Sequence, residues 1–234
     1  MSNPSQKPAN ALLVVAKRPA PGRTKTRLVP PLSMEQAAAL YECFLQDTLD
    51  LMRQIPDVQP VVAYLPAEAE TYFANLAPDF EHILQMGPDL GVRLDNALTS
   101  YLRRGYRRVV IINSDSPTLP PACLTAAFEA LAGGGDVVLG PCDDGGYYLI
   151  GIKRPTPRLL CEVRMSTPNV TTDTLNLAAE EGLRVELLPV WYDVDDATSL
   201  TRLVAELVEA PPDVARQTRA FLERQRELLV SLRV

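Results

Sequence analysis

The sequence predicts an α/β domain, a three-layer αβα sandwich around a mainly parallel mixed sheet, on three observations. Short apolar β-type runs alternate along the chain with segments of helical periodicity, the pattern of strand–helix crossover units. Arg107–Asn113 (RRVVIIN) is a nearly continuous Val/Ile stretch, which suits a strand buried on both faces of a parallel sheet. The length of 234 residues, 47% of them hydrophobic, supports one sizeable core without division.

The elements follow in order. A polar tail, residues 1–10 (MSNPSQKPAN), is expected to be disordered, and Ala11–Lys17 reads as a buried strand. Ser33 with Gln36 three residues on is a capping-box signature. The spacing of Ala37, Leu40, Tyr41, Phe44, Leu45 and Met52 then carries a helix to about Gln54. Val58–Leu65 is a strand, Ala67–Leu76 a short helix, Phe80–Met86 a strand and Gly91–Arg104 a helix. After Arg107–Asn113 come a helix over Pro121–Ala132 and strands at Asp136–Gly140 and Tyr147–Ile152. Thr167 and Pro168 read as N-cap and N1 of a helix ending near Gly182. Arg184–Pro189 returns to the sheet, and two helices, about 197–209 and 213–231, close the chain. Nothing in the pattern reads as a linker or repeat, so residues 11–234 are expected to form a single domain.

Composition excludes several functions. A formal net charge of −6 argues against a nucleic-acid partner, since such binders carry a net basic face. The apolar run Ala11–Ala16 is far too short for a signal peptide or a membrane span. A cytoplasmic protein without a membrane partner is the expectation. Cys43, Cys123, Cys142 and Cys161 include no C-x-x-C pair, which disfavours a zinc or thioredoxin-like site and suits buried free thiols in a reducing compartment. A single histidine, His82, lies in a strand run and weakens any Ser-His-Asp scheme.

In open α/β sheets ligands gather beyond the carboxyl ends of the strands, so the chemistry is sought in the loops that follow them. The first such loop, Lys17-Arg-Pro-Ala-Pro-Gly-Arg-Thr-Lys-Thr-Arg27, holds five cationic residues. Lys17, Arg23, Lys25 and Arg27 could grip phosphate oxygens, and Gly22 permits close backbone approach. The spacing is neither a Walker A loop nor G-x-G-x-x-G. Asp115 follows the RRVVIIN strand after Ser114 and precedes Ser116-Pro117. It could hold Mg²⁺, a hard ion that takes one or two carboxylates plus phosphate oxygens and waters, or it could cap the next turn. Asp143-Asp144-Gly145-Gly146 could bind or deprotonate a substrate hydroxyl, or form a tight hairpin turn. Asp193 and Asp195 share a direction if their segment is extended. Either could complete a metal site with Asp115, while Asp195 or Asp196 could cap the following helix. In Gly87-Pro-Asp-Leu-Gly-Val-Arg93, beside Asp89, Arg93 and the Gly91 amide lie near a helix start and could face an anion or a base edge, or the segment could be a simple helix-entry loop.

Taken in order, Lys17–Leu28, Asp89–Arg93, Ser114-Asp-Ser-Pro117, Asp144-Gly-Gly-Tyr-Tyr-Leu-Ile-Gly151, Ser166-Thr-Pro168 and Asp193-Val-Asp195 resemble a bacterial family of nucleotide-diphospho-sugar transferases. One branch of that family is assigned to arsenosugar biosynthesis. The resemblance spans roughly residues 11–200. It implies a GT-A-like fold, shared with molybdenum-cofactor guanylyltransferase and 2-phospholactate guanylyltransferase. It further implies nucleotide phosphates on Lys25 and Arg27, Mg²⁺ or Mn²⁺ on Asp115 with Asp195 or Asp193, and substrate contacts at Gly145, Gly146, Ser166 and Thr167. The chain departs from the wider fold in lacking an Ala-Ala-Gly-rich opening and a full Asp-x-Asp. It also carries Arg164-Met165 where many family members have Pro-Trp. The expected activity is metal-dependent glycosyl transfer from a nucleotide sugar to a small acceptor, with Asp144 orienting or deprotonating the acceptor and Asp115 holding the metal. Nucleotidyl transfer from an NTP to a phosphorylated small molecule and non-catalytic nucleotide binding are the alternatives.

Overall fold

The computed structural model describes residues 8–225. Seven strands form one sheet: β1 (Asn10–Lys17), β2 (Val58–Leu65), β3 (Glu81–Leu84), β4 (Arg108–Ile112), β5 (Val137–Pro141), β6 (Tyr147–Ile152) and β7 (Val185–Leu187). Their order is β3-β2-β1-β4-β6-β5-β7. The pairs β1–β2, β2–β3, β1–β4 and β5–β7 are parallel. β6 runs antiparallel to β4 and β5, because the short link from β5 to β6 leaves room only for a hairpin. The sheet is thus mixed and mainly parallel, flanked by helices, as the periodicity predicts.

Burial alternates along the central strands. Leu12, Val14 and Ala16 of β1, with Val110 and Ile112 of β4, join one core. Ala11, Leu13, Val109 and Ile111 join the core on the other face. Successive side chains of a strand point to opposite faces, so an all-apolar strand must be covered twice. The first core is capped by α1 (Met34–Arg53), α2 (Glu70–Leu76) and α4 (Pro121–Ala132); the second by α3 (Leu90–Arg103), α5 (Arg158–Cys161) and α6 (Val170–Glu180). A third core lies outside the first layer. There Leu40, Tyr41 and Phe44 of α1 meet Leu200, Leu203 and Leu207 of α7 (Ala197–Glu209) and Phe221 and Leu222 of α8 (Arg216–Arg224). Each of those buried leucines is worth roughly 1.5–3 kcal/mol over exposure, which docks α7 and the segment before it.

Helix starts follow the sequence signals in most places. Ser33 and Gln36 form the capping box of α1, Asp196 and Ser199 that of α7, and Pro121 stands at the first position of α4. Asp47 supplies a long-range cap, accepting the Gln217 and Thr218 amides of α8 at 2.9 Å each.

Several boundaries differ from expectation. Thr167 and Pro168 do not start a helix: α6 begins at Val170, after Asn169. The Thr167 hydroxyl turns back to the Arg164 carbonyl at 3.2 Å, and the Pro168 carbonyl is pressed against Gly145. The chain is thereby held in a loop past its apparent cap. The short helix α5 was unmarked by any cap, and β3 covers only four residues of the expected run. α8 starts at Arg216 after a left-handed Ala215, and its expected continuation to 231 lies beyond the described residues. Of the expected tail, residues 1–7 are outside the described residues, and Asn10 already pairs with Val58 and Arg108. All four cysteines are free, but Cys161 is exposed and Cys43 half-buried, because α5 and α1 turn them partly outward. His82 sits half-buried on the edge strand β3. Among the described residues no helix is long and apolar enough to cross a membrane.

Candidate functional site

The strand order places the site. After β1 the chain goes one way, to β2 and β3, and then returns to β4 on the other side of β1. At such a reversal the loops after the two central strands diverge and leave a crevice at their carboxyl ends. The loops here are Arg18–Ser33 and Asn113–Pro120. A third segment, 191–196, crosses the same edge. Cys142 and Trp191 bridge in parallel, and the Val194 amide donates to the Asp115 carbonyl at 2.9 Å.

Lys25 joins the three segments. Its Nζ lies 2.6 Å from Asp115 Oδ1 and 2.8 Å from Asp195 Oδ1, with the lysine side chain only 6% exposed. Arg27 pairs with the second oxygen of Asp195 and keeps its guanidinium largely in solvent. Lys25 adopts a left-handed backbone, φ 50°, just before a 3₁₀ turn at Thr26–Leu28. Leu28 is anchored in the third core. Burial works to discharge the Lys25 ammonium, yet the combined pull of Asp115 and Asp195 raises its pKa above the ordinary lysine value. Burial likewise opposes ionisation of Asp195, and the attraction of Lys25 and Arg27 overrides it, lowering its pKa.

Asp193 faces inward and has a different set of partners. Its Oδ1 accepts from Asn113 Nδ2 at 2.6 Å, Ser116 Oγ at 2.8 Å and Cys142 Sγ at 3.3 Å. Burial and the neighbouring Asp115 charge push its pKa up to about 6, against the pull of these donors. Asp193 and Asp195 therefore have different partners in this arrangement. Asp193 ties β4, the β5–β6 loop and the 191–196 segment together, while Asp195 opens toward the basic loop. Tyr41 backs the cluster: its hydroxyl and Ser114 Oγ are 2.8 Å apart, and it accepts the Lys17 amide at 3.2 Å. Burial, reinforced by Asp115, pushes its pKa up to about 12, so the phenol stays neutral.

The acid–glycine loop lies alongside. Asp144 is exposed, and its Oδ1 accepts the Gly146 amide at 2.9 Å. Gly145 has φ +90°, and a Cβ there would stand 1.8 Å from the Pro168 carbonyl oxygen. Only glycine allows that approach. Thr171 ties the two loops further, its amide to Gly145 O at 3.0 Å and its hydroxyl to Gly146 O at 2.6 Å. Ser166 takes a left-handed φ of 62° beside Thr167 in the facing loop. Asp143 turns away to Arg202, whose guanidinium covers the Tyr192 ring at 3.7 Å.

The remaining expected residues border this edge. Lys17 and Arg23 are exposed in the basic loop, as is Gly22 with φ +72°. Asp89 is the N-cap of α3, accepting the Val92 amide at 2.9 Å. Arg93 lies in the first turns of α3, with a buried Nε that finds no partner among the described residues. Gly91 approaches α5 rather than a cleft, since a Cβ would meet the Leu160 carbonyl at 2.0 Å. Met165 lies 3.4 Å from that same Cβ position and also receives the Tyr147 hydroxyl at 3.7 Å, so it links the Asp89–Arg93 turn to the Ser166 loop.

Sequence reading overlooked Tyr41, Asn113, Ser116 and Cys142. Asn113 and Ser116 flank Asp115 and were legible as polar residues in an otherwise buried stretch. Tyr41 fitted the helical core stripe, and nothing local separated it from its apolar neighbours.

Asp115 and Asp195 are the pair that could share a cation. Lys25 Nζ is the stand-in ion that touches both. The donors are hard oxygens, as Mg²⁺ and Mn²⁺ prefer. Among the described residues no group of three or more His, Cys, Asp or Glu is arranged to hold a metal. A divalent ion on this pair would therefore draw its remaining ligands from water and a bound phosphate.

Several solved structures resemble the chain. A protein from Desulfovibrio desulfuricans G20, provisionally identified as a nucleotide-diphospho-sugar transferase, is 30% identical, with a TM-score of 0.89 over 96% of this chain and 98% of its own. CMP:2-keto-3-deoxy-manno-octonic acid synthetase complexed with CTP is 12% identical, with a TM-score of 0.56 over 86% of this chain and 98% of that one. Rv0371c of Mycobacterium tuberculosis H37Rv, in complex with manganese, is 18% identical, with a TM-score of 0.54 over 84% and 97%. The two distant likenesses share the fold. No curated protein matches the chain in sequence. Residues 48–167 match the family described as "Uncharacterized protein conserved in bacteria (DUF2064)". That stretch carries the Asp89, Asp115 and Asp144 motifs, and the chain belongs to this family.

Proposed function

We propose that this chain is a metal-dependent transferase that binds a nucleotide-diphospho-sugar and moves the sugar to a small acceptor. The observation that carries the reading is the cation position between Asp115 and Asp195, set at the sheet's reversal point beside an exposed basic loop. The likeness to the Desulfovibrio protein supports a sugar-nucleotide substrate, and the manganese complex of the mycobacterial protein supports a divalent ion. Mg²⁺ or Mn²⁺ on this pair supplies charge neutralisation at the departing diphosphate. Arg27, Arg23 and Lys17 bind the same phosphates from the solvent side of the loop. Asp89 and Arg93 border the nucleotide. Asp193 holds the three segments in register. Asp144 spends one oxygen on its own turn and offers the other to the acceptor hydroxyl, which it orients or deprotonates. Gly145, Gly146, Ser166 and Thr167 line the acceptor side.

A second reading, nucleotidyl transfer from an NTP, is favoured by the CTP complex of the synthetase that shares this fold. The two differ in product: nucleoside diphosphate from glycosyl transfer, pyrophosphate from nucleotidyl transfer. A thermal-shift screen of nucleotides and sugar nucleotides with Mn²⁺ identifies the donor, since ligands that bind the folded chain raise its melting temperature. Product analysis with that donor then separates the two. Binding without turnover across a broad acceptor panel would defeat both readings.

A further inference from the structure

Lys25 occupies the place that the proposed metal needs. Its ammonium touches both carboxylates, and its side chain is almost wholly enclosed. The rings of Tyr41 and Phe44 stand on its apolar side, each 5.9 Å from Nζ. The left-handed backbone at Lys25 is a conformation that persists in a non-glycine residue only where the surroundings hold it. Here the segment is anchored by Leu28 in the third core and by the pairing of the Lys25 ammonium with two carboxylates. Arg23 in the same loop, by contrast, lies in solvent.

An ammonium and a divalent ion compete for Asp115 Oδ1 and Asp195 Oδ1. With Lys25 and Arg27 in place, two positive charges stand directly against the Asp115 and Asp195 carboxylates. If a divalent ion entered alone, the Lys25 ammonium would lose both partners inside a low-dielectric wall, a costly state. A diphosphate alone would find Lys25 already engaged. If both enter, the ion takes the carboxylates and the ammonium takes a phosphate oxygen, and every charge keeps a partner.

We infer that Lys25 is the resident cation of the Asp115–Asp195 pair, displaced by the divalent ion and received by the incoming diphosphate, so that metal and phosphate bind interdependently. This rests on the metal reading of Asp115 and Asp195 proposed above. Lys25 is then a device that weakens metal binding until substrate arrives.

The test uses Mn²⁺ and inorganic pyrophosphate with the full chain. Mn²⁺ binding is followed by electron paramagnetic resonance of the free ion, for wild type, Lys25→Gln and Asp115→Asn. Without pyrophosphate, Lys25→Gln should bind Mn²⁺ about tenfold more tightly than wild type or better, the scale of losing one charge-assisted competitor. Pyrophosphate should tighten Mn²⁺ binding in wild type by a larger factor than in Lys25→Gln, after allowance for its own chelation. Lys25→Gln binding no tighter than wild type, while Asp115→Asn abolishes binding, would overturn the lysine's role and leave the metal site standing. No Mn²⁺ binding to wild type or Lys25→Gln, with or without pyrophosphate, would overturn the metal reading and this inference with it. A wild-type measurement covers the case in which Lys25→Gln does not fold. Mass-spectrometric footprinting with an acylating reagent should find Lys25 protected in the protein alone and about tenfold more reactive at saturating Mn²⁺, once its charge-assisted bonds are broken. Protection unchanged by bound Mn²⁺ overturns the proposal.

Discussion

Asp115 and Asp144 hold matching places in the chain pattern, each in a loop just after a buried strand, and they end in opposite circumstances. Asp115 is half-buried and meets Lys25 from far upstream, in a cluster that also includes Asp195 from far downstream. Asp144 is exposed and satisfies one oxygen with an amide two residues away. A carboxylate followed by glycines can close its own turn. Asp115 is followed by Ser-Pro, whose Ser116 hydroxyl donates to Asp193 instead, and its charge is met by a residue that the fold delivers. The first kind leaves a free oxygen for a ligand, and the second becomes part of a charge network that must rearrange when a ligand comes.

The largest effect should come from Asp115→Asn. Removing one of two carboxylates should weaken metal-dependent nucleotide binding by about 100-fold or more, above the usual loss for an outer-shell partner. The fold should survive, because the side chain is about one-third exposed. Calorimetry with Mn²⁺ and with EDTA reads this directly. A variant that keeps the full EDTA-sensitive binding would remove the distinction between the two aspartates.

Next comes Asp144→Asn, which keeps the turn's acceptor but removes charge. Turnover should fall by about 10²–10⁴, the range for a general base, with donor affinity near normal. Full turnover in steady-state assays would reduce Asp144 to a turn residue and make the contrast purely structural.

Arg27→Ala probes the solvent side of the Asp115 cluster. Nucleotide affinity should fall roughly tenfold, as for one charge-assisted contact, with the melting temperature little changed since the guanidinium is mainly exposed. Affinity equal to wild type would confine Arg27 to its pairing with Asp195.

The smallest effect, Asp47→Asn, supplies a control. Asp47 also meets distant partners, yet these are two helix amides rather than charges. Losing one of those bonds should cost about 1 kcal/mol. Burial raises the Asp47 pKa above its ordinary value of 3.8, outweighing the helix amides. A raised carboxyl pKa contributes stability that is complete below the unfolded value and is lost as pH rises through the folded one. The stability gap between wild type and Asp47→Asn should therefore widen as pH falls toward 4, read from thermal melts. A gap that narrows on acidification contradicts this assignment.

Much of the frame was legible from local signals. β2, α4 and β6 fall on the residues their apolar spacing marked, and Ser33 and Asp196 cap the helices they precede. Thr167-Pro168 misled because Gly145 admits the Pro168 carbonyl at a distance no window around residue 167 contains. The site was legible as a set of loops but not as a set of contacts. Lys25 and Arg27 read alike as phosphate residues, while the fold buries one between two acids and leaves the other in solvent.

Where most strands and helices run, and which loops carry charge, is written locally in the chain, because the burial pattern of an element repeats at its own period within a few residues. Which charges meet is settled by the packing of the whole fold. That depends on β1 lying between β2 and β4, and on the 191–196 segment crossing the sheet's carboxyl edge to give Val194 to the Asp115 carbonyl. The order of strands is set by how whole layers pack, so the neighbours of Asp115 are a property of the fold rather than of any stretch of chain.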